Sequence, residues 1–203
     1  MKTIELEAKF HVKDLGKIRE RLSELGAEVS TPRVFELNIR LDTPDKKLTR
    51  RGQVLRLRQD KDCRLTFKGL GGIEDGVLAR KEIEFSVSDI QAARCLFEAL
   101  EFVVYMTYEK FRTVYHLEGV EICLDELPYG DFIEIEGLDP STIKEISKEL
   151  GLDWDTGIIG SYTDLFDTLN ADLDMKIRDL TFINFEDFKP SHLDLYVKAA
   201  DST

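Results

Sequence analysis

Apolar and charged residues alternate at several places along the chain. Near the N-terminus, single apolar residues separate Glu5, Glu7 and Lys9. Successive side chains of a strand point to opposite faces of its sheet, so this alternation predicts a strand with one apolar face and one charged face. The same alternation occurs in the segments Leu55-Arg56-Leu57-Arg58, Arg80-Lys81-Glu82-Ile83-Glu84-Phe85 and Phe132-Ile133-Glu134-Ile135-Glu136. These segments predict a sheet whose strands share a charged face.

Helices and further strands are predicted around these segments. Asp14 can cap a helix that ends at Gly26, because an apolar stripe of Leu15, Ile18, Leu22 and Leu25 lies between them. Two more helices are predicted, from about residue 141 to Gly151 and over 162–173. Strands are predicted over 35–41, 54–59, 65–68, 108–117, 120–126 and 131–137.

Glycine-rich segments mark turns between the predicted strands. Gly69, Gly71 and Gly72, together with Asp75-Gly76, predict a turn. This segment is not a phosphate-binding loop, since it lacks the P-loop spacing and no helix pattern follows it. Pro128-Tyr129-Gly130 predicts a second turn.

A weak internal repeat appears when the chain is aligned with itself at an offset of 75 residues. His11-Val12-Lys13-Asp14-Leu15 aligns with Ser86-Val87-Ser88-Asp89-Ile90. The preceding strands also match, through Glu7 with Glu82 and Phe10 with Phe85. Two strand–helix–strand units predict a single pseudo-symmetric domain.

The charged strand faces have two interpretations. In the ordinary one, a sheet has one face on the core and the other in water, and this explains any single strand. The helices, however, carry apolar stripes that can cover the apolar face, which would leave the charged face inside a closed or cupped sheet. Charges there require partners or ligands. Clustered carboxylates suit Mg²⁺ or Mn²⁺, and clustered cations suit a polyphosphate.

The chain is acidic, with a formal net charge of −12. Fourteen acidic and six basic residues lie from Asp139 onward, so this part carries −8 and the preceding part carries only −4. The acidity disfavours nonspecific nucleic-acid binding but not the binding of a small anion. From residue 178 onward the pattern fades. Phe182, Phe185 and Phe188 can pack a short helix or loop on the body, and residues 190–203 are expected to be poorly ordered.

The composition excludes several classes of protein. The hydrophobic content of 42% is ordinary for a soluble protein with a core. No segment resembles a signal peptide or approaches the ~20 apolar residues of a membrane span. Cys63, Cys95 and Cys123 are odd in number and lack metal-ligand spacing, so we expect reduced thiols in a cytoplasmic protein. The three histidines are scattered and predict neither a zinc site nor a catalytic triad.

The charged segments resemble a known family. Glu5-Leu6-Glu7-Ala8-Lys9 is similar to the ExExK signature of the CYTH, or triphosphate tunnel metalloenzyme, superfamily. ExExK alone is a weak signal, whereas an ordered set of motifs is a specific one. The other motifs, in the family's order over roughly residues 1–170, are Asp42-Thr43-Pro44-Asp45, Leu55-Arg56-Leu57-Arg58, Thr66-Phe67-Lys68-Gly69, Glu109-Lys110-Phe111-Arg112, Leu124-Asp125-Glu126-Leu127, Gly130-Asp131-Phe132-Ile133-Glu134-Ile135-Glu136-Gly137 and Ser161-Tyr162.

The resemblance implies an α+β fold, an eight-stranded antiparallel β-barrel tunnel with helices packed outside. The tunnel domain would cover residues 1–170, and 171–203 would form an acidic, partly disordered extension. The implied metal ligands are Glu5, Glu7, Glu134 and Glu136. The implied triphosphate contacts are Lys9, Arg56, Arg58, Lys68, Arg80, Lys110 and Arg112, and the implied catalytic residues are Lys9, Glu82 and Asp125. Interior salt-bridge roles stay open for Lys9, Arg80, Glu82, Glu84 and Asp125.

Three functions stay open, and the two enzymatic ones, which the resemblance implies, use a triphosphate substrate with Mg²⁺ or Mn²⁺. We expect a hydrolase of inorganic tripolyphosphate or of a nucleoside or other organic triphosphate, because hydrolysis requires fewer features of the chain. The alternative is a class IV adenylyl cyclase that forms cyclic AMP and pyrophosphate. A non-catalytic polyphosphate- or nucleotide-binding module is the third, and the full set of carboxylates argues against it. Neither nucleic acid nor a membrane is expected as a partner, and a homodimer is compatible with the sequence.

Overall fold

The computed structural model describes residues 4–188 and 196–201. The strands are β1 (Glu5–Val12), β2 (Glu28–Asp42), β3 (Val54–Gln59), β4 (Cys63–Glu74), β5 (Val77–Ser86), β6 (Val103–Leu117), β7 (Val120–Leu127) and β8 (Gly130–Gly137). The α-helices are α1 (Leu15–Glu24), α2 (Ile90–Ala99), α3 (Pro140–Glu149) and α4 (Tyr162–Asp172). Short 3-10 helices lie at Thr49–Arg51, Trp154–Thr156 and Phe182–Phe185. In the part of the chain that the structure describes, no helix is both long and apolar enough to cross a membrane.

The eight strands close into one antiparallel barrel. Their order is β1-β5-β4-β3-β2-β6-β7-β8, and β8 pairs with β1 to close it. If β1, β2, β3 and β4 are exchanged with β5, β6, β7 and β8 in that order, every strand keeps equivalent neighbours. The barrel therefore has the pseudo-symmetry that the internal repeat predicts. Helices α1 and α2 begin and end 75 residues apart, and the side chains of Asp14 and Asp89 cap them. The predicted barrel is therefore confirmed.

The apolar faces of the strands point outward and are covered by the helices. Phe10 on β1 and Ile133 on β8 are fully buried against Ile18 and Leu22 of α1 and Ile143 of α3. Helix α2 covers a second apolar cluster and α4 covers a third. Each buried side chain of this size contributes ~1.5–3 kcal/mol. Because the helices take the outer surface, the charged faces are left inside the barrel.

Strands β2 and β6 are longer than predicted. Each spans 15 residues, and the two pair along most of their length. The first half of β2 contains Pro32, and its register against β6 shifts twice between Val29 and Val34. Irregular pairing hides the alternation on which the prediction depends.

Glycines 69, 71 and 72 lie inside β4, where a turn was predicted. The register between β4 and β5 shifts between Lys68 and Gly71, as at a β-bulge. The turn is formed by Asp75-Gly76 alone, and Gly76 has a φ of 85°, which favours glycine.

Part of the C-terminal extension completes the wall of the barrel. Strand β7 pairs with β6 only over residues 111–117 of β6, so the first half of β6 has a free edge. Leu180 occupies this edge: its N–H donates to the carbonyl of Thr107 at 2.9 Å, and its carbonyl accepts from the N–H of Glu109 at 2.9 Å. Leu180 is fully buried. The extension therefore stabilises β6, which carries part of the interior site.

Residues 196–201 pack against the end of β1, although poor order was expected for them. The N–H of Ala200 donates to the carbonyl of His11 at 2.8 Å. The carboxylate of Asp201 accepts from the N–H of Lys13 at 2.9 Å. Residues 190–195 and 202–203 of the same prediction lie outside the described residues.

An acid pair on the outside of the barrel predicts a pH-dependent stability. Asp131 on β8 lies opposite Glu126 on β7. Burial raises the pKa of Asp131 to about 6, and the charge of Glu126 adds to this effect. The pKa of Asp131 in the folded protein then lies above its value of ~3.9 in the unfolded chain. The protein therefore loses stability as the pH rises between these two pKa values, and the full penalty applies above about pH 6. Asp131→Asn should stabilise the protein by ~1 kcal/mol at pH 8, after allowance for partial exposure, and by almost nothing at pH 3.5.

Urea denaturation of this variant at the two pH values measures the effect. Asp62→Asn, at an exposed turn between β3 and β4, is the matched control and should change stability equally little at both pH values. An equal gain for Asp131→Asn at pH 3.5 and pH 8 would show that the charge of Asp131 is not the cause.

Candidate functional site

The inward faces of the strands enclose a charged cavity of about 360 Å³. Every residue predicted to bind metal or triphosphate lines it, and of the predicted catalytic residues Asp125 does not. The predicted residues at the cavity wall are Glu5, Glu7, Lys9, Arg56, Arg58, Lys68, Arg80, Glu82, Lys110, Arg112, Glu134 and Glu136.

The two ends of the cavity differ. Neighbouring strands are antiparallel, so β1, β2, β4 and β7 all end at one rim of the barrel. The start of α4 lies at this rim: the carbonyl of Gly160 accepts from Lys9 Nζ at 3.2 Å, and Thr163 Oγ1 accepts from Arg40 at 2.6 Å. We call this rim the α4 end. The opposite rim, the far end, holds the start of β1 and the end of β8.

Three carboxylates form a cluster towards the far end, called here the carboxylate triad. Glu5 and Glu7 lie on β1, and Glu136 lies opposite Glu7 on β8. One oxygen of each lies within 4.8 Å of the others. Lys68 contacts Glu5 at 2.7 Å, and Arg80 lies 3.5 Å from Glu7, so cations already balance this charge. Convergent carboxylate oxygens fit a hard divalent cation.

Protons also balance charge around the triad. Burial raises the pKa of Glu136 to about 7, and the negative charge of Glu5 adds to this effect. Burial also raises the pKa of Glu82 to about 7, together with a hydrogen bond to Glu5. For Glu5, burial acts in the same direction, but the charge and hydrogen bond of Lys68, the hydrogen bond with Glu82 and the charge of Arg80 together outweigh it, and the pKa falls to about 2. Acids that repel one another in this way are suited to exchange protons for a metal ion.

Glu134, the fourth predicted metal ligand, contacts cations instead. Its carboxylate lies 2.9 Å from Lys9 Nζ and also contacts Arg112. Burial opposes ionisation of Glu134, but the charges of Lys9 and Arg112 outweigh it and hold the pKa well below its usual value. Lys9 lies between Glu134 and Glu7, 3.3 Å from the latter, so it has a salt-bridge role in this state. Metal ligation by Glu134 stays a prediction.

Asp125 lies behind the cavity wall with no exposed surface. Its carboxylate accepts from Lys110 Nζ at 2.9 Å, from Arg112 Nε at 2.7 Å and from the hydroxyl of Tyr162 at 2.8 Å. This geometry holds the two cations in place and gives Asp125 no surface with which to contact a substrate.

Strand β2 brings charged residues to the interior that the sequence analysis missed. Arg40 lines the cavity, and Glu36 is buried 3.4 Å from Arg58 and 3.6 Å from Lys110. The signal was present, since Glu36-Leu37-Asn38-Ile39-Arg40-Leu41-Asp42 alternates as the other strands do. Further cavity-lining residues that were assigned no role are Arg64, Tyr108, Glu121 and Thr163.

Comparison with known proteins identifies the family. The model of the CYTH domain matches residues 3–161, about three quarters of the chain. The chain belongs to the CYTH family. A CYTH relative from Methanocaldococcus jannaschii, named "putative adenylate cyclase", is 30% identical over 135 residues, which are 66% of this chain and 76% of that protein. CYTH enzymes are metal-dependent and include adenylate cyclases and triphosphatases.

Solved structures share the CYTH fold. A "putative adenylate cyclase" from Vibrio parahaemolyticus has a TM-score of 0.73 at 19% identity, covering 82% of this chain and 99% of that one. A "putative adenylyl cyclase" from Hippeastrum, whose structure is described as revealing a dominant triphosphatase activity, has a TM-score of 0.64 at 21% identity, covering 80% of this chain and 95% of that one. At these identities the similarity shows the fold alone.

Proposed function

We propose that the protein is a divalent-metal-dependent triphosphate hydrolase and that inorganic tripolyphosphate suits its cavity best. The lining of the cavity carries this proposal, since sixteen of its twenty-one residues are charged. Among the lining residues, only Val54, Tyr108 and Tyr162 are apolar or aromatic, and the two tyrosine hydroxyls bond to Arg56 and Asp125. A heterocyclic base would therefore meet few apolar or aromatic side chains there, whereas phosphate oxygens would have nine cationic side chains within the lining to contact.

The charge balance of the interior supports joint binding of substrate and metal. Seven carboxylates line the cavity, and Glu36 and Asp125 lie behind its wall, giving nine anionic groups. They face nine cationic side chains, and Glu82 and Glu136 are partly protonated near neutral pH because their pKa values are raised to about 7. The interior therefore has only a small excess of positive charge, and a triphosphate would still bring uncompensated negative charge into a buried site. Divalent ions at the carboxylate triad would neutralise it. The nine cationic residues are Lys9, Arg40, Arg56, Arg58, Arg64, Lys68, Arg80, Lys110 and Arg112.

The residues of this chain would bind and orient the substrate. Glu5, Glu7 and Glu136 would hold Mg²⁺ or Mn²⁺, which when bound polarises phosphate oxygens as a Lewis acid. Lys110 and Arg112 would donate hydrogen bonds to phosphate oxygens and stabilise the negative charge that develops on the leaving phosphate. Both are fixed in advance by Asp125, so little reorganisation is needed during the reaction.

Adenylyl cyclase activity is the second candidate, and the name of the Methanocaldococcus jannaschii relative favours it. In that reaction the ribose 3′-hydroxyl attacks the α-phosphorus and pyrophosphate leaves. The nucleoside would then have to lie outside the charged cavity, with only the triphosphate inside. Hydrolysis of inorganic tripolyphosphate requires no separate pocket for a nucleoside.

Product analysis tests the proposal. The purified protein would be incubated with ATP, with inorganic tripolyphosphate or with both, in Mg²⁺ or Mn²⁺, and the products identified by ion chromatography and mass spectrometry. We expect pyrophosphate and orthophosphate from tripolyphosphate, and no cyclic AMP from ATP. Formation of cyclic AMP with pyrophosphate would replace our proposal with the cyclase.

A further inference from the structure

Arg40 stands out among the cations of the cavity because no carboxylate of the described residues lies within 4 Å of it. Within the described residues, every other cation at the cavity wall lies within 4 Å of a carboxylate. The guanidinium of Arg40 donates to Thr163 Oγ1 and lies over the ring of Tyr105, and the carboxylate of Asp167 acts on it only from beyond 4 Å. Arg40 is 8% exposed. A buried cation without a nearby counter-charge is unfavourable, so this position is suited to an anionic ligand.

A second cation lies directly across from Arg40. Arg56 is its partner in the pairing of β2 with β3, and both line the cavity. Like charges at opposed positions of neighbouring strands destabilise a sheet. Arg56 donates to Tyr108 at 3.1 Å and to Thr66 at 3.3 Å, and its nearest carboxylate, on Glu84, is 3.8 Å away. The two guanidinium groups therefore offer donors to the same space.

Two neighbouring features make this place suited to a polar ligand, one behind the cavity wall and one at the α4 end. Asn38 follows Glu36 and precedes Arg40 on the inward face of β2, and it is fully buried. Neither its amide nitrogen nor its amide oxygen has a hydrogen-bond partner among the described residues, and buried polar groups rarely lack one. Thr163 lies in the first turn of α4, where the helix dipole favours an anion.

We infer that Arg40, Arg56 and Thr163 bind a phosphoryl group at the α4 end, while the carboxylate triad holds metal towards the far end. This inference rests on the proposed function and deepens it. A guanidinium can pair with two phosphate oxygens at once, which the lone hydroxyl of Thr163 cannot do. A triphosphate has one more phosphoryl group than a diphosphate with which to contact both places at once, so Arg40 should contribute more to the binding of a triphosphate.

Calorimetry with non-hydrolysable analogues tests this difference. Binding of diimidotriphosphate and of imidodiphosphate, each with Mg²⁺, would be measured for the wild type, for Arg40→Gln and for Arg51→Gln, an exposed control. We expect Arg40→Gln to lower the affinity for the triphosphate analogue at least tenfold and the affinity for the diphosphate analogue less than threefold. Arg51→Gln should change neither affinity. Equal weakening of both analogues, or no weakening, would overturn the inference. Failure of the wild type to bind the triphosphate analogue would instead overturn the proposed function.

Thermal denaturation separates ligand binding from a structural role of Arg40. If the role of Arg40 is to bind a phosphoryl group, Arg40→Gln removes a buried positive charge that lacks a nearby counter-charge in the ligand-free protein. The ligand-free variant should then melt at or above the wild-type temperature. The stabilisation by diimidotriphosphate should shrink at the same time. If Arg40 serves only to anchor α4 through Thr163, the ligand-free variant should melt lower and keep its affinity, which would contradict the inference.

Discussion

Glu7→Gln should lower metal-dependent turnover at least ~100-fold, a loss of about 2.7 kcal/mol of transition-state stabilisation. Glu7 is 4% exposed and contributes one of the three converging oxygens of the carboxylate triad. The amide keeps the volume of the side chain but removes the charge that a hard divalent ion requires. Turnover of tripolyphosphate as a function of Mn²⁺ concentration, together with calorimetry of Mn²⁺ binding, measures the effect.

The fold should survive this change, because the cations beside Glu7 keep other partners. Lys9 keeps Glu134 at 2.9 Å, and Arg80 keeps Glu5 at 3.6 Å. Glu84→Gln is the matched control: Glu84 lines the same cavity but lies outside the triad, beside Arg58. It should retain Mn²⁺ affinity and lose less than ~10-fold in turnover. Unchanged turnover in Glu7→Gln would refute the metal site, and a protein that binds tripolyphosphate without ever turning it over would be a binding module.

Local patterns predicted the walls of the barrel because each wall segment obeys one simple rule. In β1 and β8, the charged residues Glu5, Glu7, Lys9, Glu134 and Glu136 alternate with apolar residues and face inward, while the apolar residues between them belong to the core under the helices. In β5, Arg80, Glu82 and Glu84 alternate and face inward in the same way. The cap of α1 was predictable for the same reason, since Asp14 accepts from the N–H groups of Gly16 and Lys17 within one turn. Pairing between distant segments, such as β1 beside β5, has no local signal. The apolar stripes of the helices indicated a closed or cupped sheet, and the family resemblance was needed to predict an eight-stranded barrel.

The composition of the site depends on strand register, which the pattern does not contain. Glu134 and Glu136 lie two residues apart on the same face of β8 and are equivalent by alternation. In the barrel Glu136 lies opposite Glu7, whereas Glu134 lies opposite Lys9. One therefore joins the carboxylate triad and the other forms a salt bridge. Asp125 points inward, as the alternation along β7 indicates, but its complete burial depends on Lys110, Arg112 and Tyr162 surrounding it, which the alternation does not reveal.

Asp125→Asn should destabilise the protein by ~3 kcal/mol, because breaking a buried ion pair leaves the partner charges uncompensated. Lys110 would keep only Glu36, at 3.6 Å, and Arg112 would keep Glu134. Turnover should also fall, mainly through a higher KM, since both cations would lose the contact that fixes them for phosphate binding. Guanidinium chloride denaturation and steady-state kinetics on the same preparation measure the two effects.

Tyr162→Phe separates charge from hydrogen bonding at this carboxylate. It removes one donor to Asp125 and leaves both ion pairs intact, so it should cost only ~1 kcal/mol. If Asp125 were catalytic, Asp125→Asn would instead keep normal stability and an unchanged KM, and its kcat would fall ~100-fold or more. That result would require the Asp125 carboxylate to reach the cavity during turnover, and thus a rearrangement of Lys110 and Arg112. With both cations already held at hydrogen-bonding distance, positioning is the role that the geometry supports.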